Sequence, residues 1–317
     1  MMPPAAFRDR SATKGHSMTA VARVMNARSR AFFTIAVLLV FSRPAGAPVS
    51  AASSPTAKDV ITRIQEHVGI PWQGDTVDTF KAGDPNTPVT GIAVTMMATL
   101  DVLQRAAAAN QTLIITHEPT FFDHLDRTEG LESEKDPVYA AKRDFIKAHG
   151  LVVWRFHDYW HRRRPDGILT GMVDALGWQK YQSAEAPMRF VLPSTSLNAL
   201  AADIRQHLHA ATMRVVGLPD MQVTRIGFIP GAAPYDMHRR MLQSDAQVLV
   251  IGEAREWETV EYVADAVSAR QDKALIIIGH IPSEQAGMDE CARWLRGFVP
   301  EVPVAFVPAA DPFWAPK

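Results

Sequence analysis

Leu113-Ile114-Ile115-Thr116-His117-Glu118-Pro119 sets a short β-branched run directly against a histidine, a carboxylate and a proline. Two other stretches repeat the plan. Leu151-Val152-Val153-Trp154 runs into Phe156-His157-Asp158-Tyr159-Trp160-His161, and Ala274-Leu275-Ile276-Ile277-Ile278 runs into Gly279-His280-Ile281-Pro282-Ser283-Glu284. Such runs are too short for helices and read as strands buried on both faces. Open α/β sheets build their sites in the crevice outside the carboxyl ends of the strands. Three strand ends bearing histidine and carboxylate therefore predict one shared metal site.

Outward from these strands the pattern alternates. Apolar spacing predicts helices at 58–68, 99–109, 137–149, 171–176, 196–209, 234–242, 256–269 and 284–295. Strands are predicted at 91–96, 188–192, 225–229, 248–251 and 304–307, with another near Arg214. Residues 71–88, rich in Gly, Asp and Pro, read as loop, as does the charged stretch 121–136. The fold class is α/β: mixed, mostly parallel sheets flanked by helices, in two related lobes facing a shared metal site. The lobes are placed at 58–185 and 186–317, after a linker at 52–57. LIITHEP and LIIIGHIP echo each other, as related lobes would.

The chain has 317 residues, 47% of them hydrophobic, enough for one large or two ordinary domains. Residues 1–51 read as a signal peptide: Arg23, Arg28 and Arg30 precede the apolar run 31–41, with small residues up to Ala51. A membrane-spanning helix needs roughly 20 apolar residues, so cleavage after Ala51, a periplasmic or secreted product and no stable membrane anchor are expected. The first 51 residues hold seven Lys/Arg and one Asp, leaving 26 basic against 33 acidic residues and a net charge of −7. Such a chain is a poor general nucleic-acid binder. Cys291, the single cysteine, excludes an internal disulfide and a cysteine-based zinc site, and reads as a buried small residue. There is no GxSxG, GxGxxG or GxxxxGK[ST]. Serine-hydrolase, dinucleotide and P-loop readings lose their support.

His117 and Glu118 are adjacent on extended chain, so their side chains should point to opposite sides and could serve two ions. His157 and His161 would share a face if their segment were helical. His280 and Glu284 span a strand-to-helix turn, with Pro282 suited to the first helical turn. Asp123, His124 and Asp126 follow the first motif and could be acid/base groups at the site's mouth. Arg162-Arg163-Arg164 could attract an anion, as could backbone N–H groups at Gly231-Ala232-Ala233. His207 and His209, two apart on a helix, do not face each other. The chemistry that suits this set is metal-assisted hydrolysis of a small substrate, anionic ones included, through a metal-activated water, with Glu118, Asp158 or His124 moving protons. Zinc, iron and manganese all accept such ligands.

Over roughly 58–308 the motifs resemble the Nif-three-like proteins, dinuclear-metal, ring-forming α/β proteins also known as GTP cyclohydrolase 1 type 2 homologues. The resemblance rests on strand-His117-Glu118-Pro119, His157 with His161, Gly171-Met172-Val173-Asp174-Ala175-Leu176-Gly177, Gly252-Glu253, and Gly279-His280 with Ser283-Glu284. That family typically has His-His-Pro where this chain has His117-Glu118-Pro119, and a histidine followed four residues later by Asp where this chain has His157 and His161. It commonly carries an aspartate near Met96-Met97. The two exchanges keep the ligand inventory. The resemblance implies two divalent ions held among His117, Glu118, His157, His161, His280 and Glu284, with Asp158 as the alternative to His161. It also implies a homohexamer and suggests GTP cyclohydrolase-like activity. A non-catalytic metal-binding ring protein, acting as carrier or adaptor, is the alternative function.

Overall fold

The computed structural model describes residues 54–316; the leader expected at 1–51 lies outside them. In chain order the elements are α1 (Ala57–His67), β1 (Phe80–Ala82), β2 (Ile92–Thr95), α2 (Leu100–Ala108), β3 (Leu113–Thr116), α3 (Glu129–Ser133) and α4 (Pro137–Ala148). Then come β4 (Val152–Arg155), α5 (Asp158–Arg162), α6 (Gly167–Leu176), β5 (Arg189–Ser196), α7 (Leu197–Leu208), β6 (Arg214–Val216), β7 (Gln222–Ile229) and α8 (Tyr235–Gln243). The chain closes with β8 (Val248–Ile251), α9 (Glu261–Ser268), β9 (Ala274–Ile277), α10 (His280–Arg296) and β10 (Val304–Phe306). Among the described residues no helix is long and apolar enough to cross a membrane.

The four-residue strands β2, β3, β4, β8 and β9 are buried at every position, as β-branched runs covered on both faces should be. They form two five-stranded sheets, ordered β1-β4-β3-β2-β10 and β5-β7-β8-β9-β6. Five of the eight pairings are parallel; β1, β5 and β6 are antiparallel edges. Register aligns Thr95, Thr116 and Arg155 across the first sheet, and Ile229, Ile251 and Ile277 across the second. The strand ends carrying the histidine motifs thus reach a common rim in each sheet.

Both sheets hold three consecutive parallel strands with an antiparallel edge beside the third: β2-β3-β4 with β1, and β7-β8-β9 with β6. This order matches β3 to β8 and β4 to β9. The echo between LIITHEP on β3 and LIIIGHIP on β9 therefore couples non-equivalent strands. The topological partners are His117-Glu118 with Gly252-Glu253, and His157-x3-His161 with His280-x3-Glu284. The last strand of the 186–317 stretch pairs with β2 and belongs to the first sheet.

Several helices begin or break where periodicity alone does not show it. Thr56, expected in the linker, caps α1 in a capping box with Asp59. The helix predicted at 171–176 starts at Gly167, because the Asp166 carboxylate accepts the Leu169 N–H at 3.0 Å. The helix predicted from 284 starts at His280, which puts His280 and Glu284 on one face of its first turn. The loops at 71–88 and 121–136 contain β1 and α3, each too short for a periodic signal. Residues 256–269 open with a π-helical turn over Glu256–Val260 before α9.

Helices α6 and α10 share one continuous core with the inward residues of both sheets, including Ile114, Val153, Val250 and Ile276. They cross with almost no room between backbones. A Cβ on Gly171 would lie 2.3 Å from Ala286 O, and one on Gly287 would lie 2.4 Å from Ile168 Cα. Glycine to alanine in a helix interior ordinarily gains up to about 1 kcal/mol. Here overpacking reverses the sign. Gly171→Ala and Gly287→Ala are expected to lose about 1–3 kcal/mol in urea unfolding, whereas Gly130→Ala on α3, with nothing within 4 Å of the added carbon, should be neutral or slightly stabilising.

Candidate metal centre

The rim residues meet where α5 and α10 leave their strands. His117, His157 and His161 each offer a ligand atom within 4.8 Å of the others, and so do His117, Glu118 and Glu284. Two sets of side chains, sharing His117, are thus spaced to hold a metal ion. Glu118 does not diverge from His117 as strand alternation suggested. β3 ends at Thr116, and both side chains turn into one cluster.

Each imidazole is oriented from behind. His117 Nδ1 donates to Phe156 O at 3.0 Å, His157 Nδ1 to Asp158 Oδ1 at 2.9 Å, and His161 Nδ1 to Asp166 Oδ2 at 3.1 Å. His280 Nδ1 faces Glu253 Oε1 at 3.4 Å. A carbonyl or carboxylate only accepts, so Nδ1 carries the proton and Nε2 is left for the centre. Backing of this kind fixes the tautomer and raises ligand basicity at metal-ligating histidines.

The Nε2 atoms face the carboxylates. His280 Nε2 lies 3.1 Å from Glu284 Oε2 and 3.3 Å from Glu118 Oε1, close enough for ion pairing but off-line for a hydrogen bond. His117 Nε2 is 3.9 Å from Glu284 Oε2, His161 Nε2 3.9 Å from Glu284 Oε1, and His157 Nε2 3.9 Å from Glu118 Oε1. His117 Nε2, His280 Nε2 and Glu284 Oε2 are buried with no hydrogen-bond partner. Buried polar atoms are almost always satisfied. Three orphans converging in one set of imidazoles and carboxylates fit a cation.

Electrostatics point the same way. Burial drives His117 well below its ordinary pKa, and His157 and His161 push in the same direction, so it is neutral and ready to ligate. Burial also pushes His280 down, but Glu118, Glu253 and Glu284 outweigh it and raise it to about 12. Glu118 is held below the usual carboxylate range because His280, His117 and His157 overcome its desolvation. For His161, Asp166 and Glu284 overcome burial and raise the pKa. Without metal, a proton on His280 supplies the cationic charge that these carboxylates require.

The sequence did not single out Asp78, Arg155 or Asp166, which build this geometry, and marked Glu253 only as part of a motif. Asp78, buried in the 71–88 loop, accepts the N–H groups of His157, Asp158 and Tyr159 at 2.7–2.9 Å and so caps α5 from outside. Arg155, fully buried, donates from Nε to His117 O at 3.0 Å and from Nη1 to His124 O at 2.5 Å, and its Nη2 lies 3.5 Å from Glu118 Oε2. A lone arginine inside the apolar run Val152-Val153-Trp154-Arg155-Phe156 was its only signal. Asp166 and Glu253 back histidines that are distant from them in sequence or across a turn.

Asp158 is engaged with His157 Nδ1 and with Thr76 Oγ1 at 3.0 Å, and the bond from His157 holds its carboxyl below the usual range. His124 is exposed, lines the cleft over the cluster, and has its ring centroid 6.3 Å from that of His157. Asp126 is committed to the N–H groups of Thr120 and Phe121, at 2.6 and 2.8 Å, and Asp123 pairs with Arg127. The arginine triplet is likewise committed. Arg162 stacks over Tyr159, Arg163 over Trp160 and Trp294, and Arg164 Nη1 donates to three backbone carbonyls. Gly231 N–H donates to Ser283 Oγ at 2.9 Å and is no open anion nest. His207 bonds Asp203 O, and His209 sits left-handed at the end of α7. Cys291 is buried, as expected, and burial raises its thiol pKa.

Above the cluster the cleft encloses about 410 Å³ and is walled by Met188, Ile229, Ala233 and Met237. That is room for a small molecule. Fold and cluster together define an α/β protein with a histidine–carboxylate centre at the carboxyl ends of two sheets. The chain belongs to the DUF34/NIF3 family (NGG1p interacting factor 3), whose model matches residues 55–312, so the resemblance drawn from the motifs is correct.

Among solved structures the chain is similar to a Bacillus cereus protein related to NIF3, at 14% identity over 83% of this chain and 99% of that one, with a TM-score of 0.66. A hypothetical protein of Staphylococcus aureus matches at 18% identity, 83% and 99% coverage and a TM-score of 0.65. Reduced HcgD from Methanocaldococcus jannaschii matches at 12%, 80% and 98%, with a TM-score of 0.58. At these identities the likeness establishes the fold. No curated protein matches the sequence.

Metal entry must expel the His280 proton, so apparent affinity should climb with pH, by up to about tenfold per unit for each proton released. Calorimetry of zinc binding between pH 6 and 8, in buffers of different ionisation enthalpy, measures that release. Asp166→Asn keeps an oxygen to cap α6 but removes the charge behind His161. Zinc affinity should fall about tenfold or more, with thermal unfolding little changed.

Proposed function

We propose that this chain is an exported, dinuclear metal-dependent hydrolase of a small substrate. One observation carries the reading: three buried polar atoms that make no hydrogen bond converge among four imidazoles whose Nδ1 atoms all face acceptors. His117, His157 and His161 would hold one divalent ion, and Glu118, Glu284 and His280 a second. Bound there, divalent ions of the zinc, iron or manganese type supply a Lewis acid and acidify a water.

The chain's own residues do the rest. Asp158 and Asp166 keep His157 and His161 in the ligating tautomer. Arg155 neutralises one oxygen of Glu118 and holds the loop bearing His124. Glu118 Oε1, turned to His280 and His157 and away from Arg155, is the oxygen left for an ion, and the exposed imidazole of His124, lining the cleft, passes protons between cleft and solvent. Ile229 and Met237 exclude water from the far wall. Residues 1–51 direct export and are removed, and the mature chain assembles as a homo-oligomer, a hexamer on the family resemblance.

Purified mature protein should contain about two divalent ions per chain by elemental analysis. His117→Ala and His280→Ala should lose them, along with chelator-sensitive turnover, while circular dichroism is unchanged. Stoichiometric metal without turnover on phosphoesters, amides or nucleotides would favour a carrier or adaptor instead. A metal-free parent, with both variants binding zinc as the parent does, defeats either reading.

A further inference from the structure

A second, larger hollow of about 820 Å³ adjoins the cleft over the cluster, and the two share His161, Asp166, Leu169 and Met188. Its walls are α6, through Leu169 and Val173, the segment 179–189 and Met241 of α8. None of these residues belongs to the histidine–carboxylate set except His161, whose ring stands at the junction. Beyond that junction the imidazoles and carboxylates of the cluster give way to Pro165, Val173, Pro187 and Met241, interspersed with polar side chains such as Thr170, Gln179 and Gln182. A hollow of this size, lined mainly by apolar groups, matches what binds a mid-sized organic moiety.

We infer that the hollow takes the apolar tail of an amphiphilic substrate, an alkyl or aryl chain whose polar oxygen head lies against the cluster. This rests on the metal-centre reading for the head, but the tail's site stands on cavity shape and lining alone. Continuity decides the occupant. From a head group at Glu118 and His280 a substituent of eight or more carbons can extend past His161 and Leu169 into this hollow, which has about twice the volume of the groove of about 400 Å³ that also adjoins the cleft at Ile229 and Met237. The substrate class is then a long-chain or aryl ester, amide or phosphoester rather than a compact polar metabolite. Arg164 and Arg189 line the hollow together with Asp166 and Asp174, so these charges balance.

The test uses full-length mature protein loaded with zinc and a series of n-alkylphosphonates from methyl to octyl, with binding measured by calorimetry. Each methylene beyond propyl should strengthen binding by about three- to fourfold, the ratio expected for burying a CH₂ group. Ala186→Trp, on the lining loop, should flatten that dependence while leaving methylphosphonate affinity and zinc content as in the parent. Ala184→Trp serves the same purpose if the first variant misfolds. Methylphosphonate binding with no gain along the series, or gains that neither filling variant alters, would overturn the tail site and leave the metal centre standing. Length-dependent binding without zinc, with methylphosphonate silent, would keep the tail site and sink the metal-centre reading. No binding by any member overturns both.

Discussion

Two glutamates and four histidines at the carboxyl ends of the two sheets place opposite and like charges in a space that water barely reaches. Burying a carboxylate costs several kcal/mol unless charge and hydrogen bonds compensate it. The surrounding structure is arranged to meet that requirement. Arg155 and His280 face Glu118, His280 and His161 face Glu284, and every imidazole has an acceptor behind it. Asp78 serves the same end by fixing the first turn of α5, which carries His161 and follows directly on His157.

The cluster also depends on a close helix crossing. His280 and Glu284 ride on α10, whose position is set where Gly287 passes Ile168 and Gly171 of α6. Near the strand ends, Gly231 and Gly252 let the chain pass the Glu284 carboxylate and Ser283. A Cβ on Gly231 would lie 2.4 Å from Glu284 Oε1. Glycine is needed at 231 twice over, since its φ is +68°. The segment Gly231-Ala232-Ala233 thus matters as a wall that holds a carboxylate in place.

The matched strand order of the two sheets explains why the motifs are alike in kind and different in detail. Each sheet sends a strand into a helix with ligand types four residues apart, His157 with His161 in one and His280 with Glu284 in the other. Each also offers a residue pair after the middle one of its three consecutive parallel strands. In the first sheet that pair is His117-Glu118, which enters the cluster. In the second it is Gly252-Glu253, where only the glutamate reaches a histidine, from behind. An asymmetric centre results, richer in imidazole on one side and in carboxylate on the other.

The α/β class and most strands were legible because β-branched runs of four or five residues have few other readings, and the histidine motifs were legible because they sit at the ends of those runs. β1 and α3 were not, being three and five residues long, too short to show a period. The start of α10 was hidden because Gly279-His280-Ile281-Pro282 carries no capping side chain. Residue type and order by themselves determined that histidines and carboxylates would stand at strand ends. Only the tertiary structure decided which nitrogen faces inward, which carboxylates enter the cluster and which stand behind a histidine. Those choices are made by partners such as Phe156 O, Asp166, Glu253 and Arg155, whose distances from the histidines depend on strand register and on how closely two helices can pass.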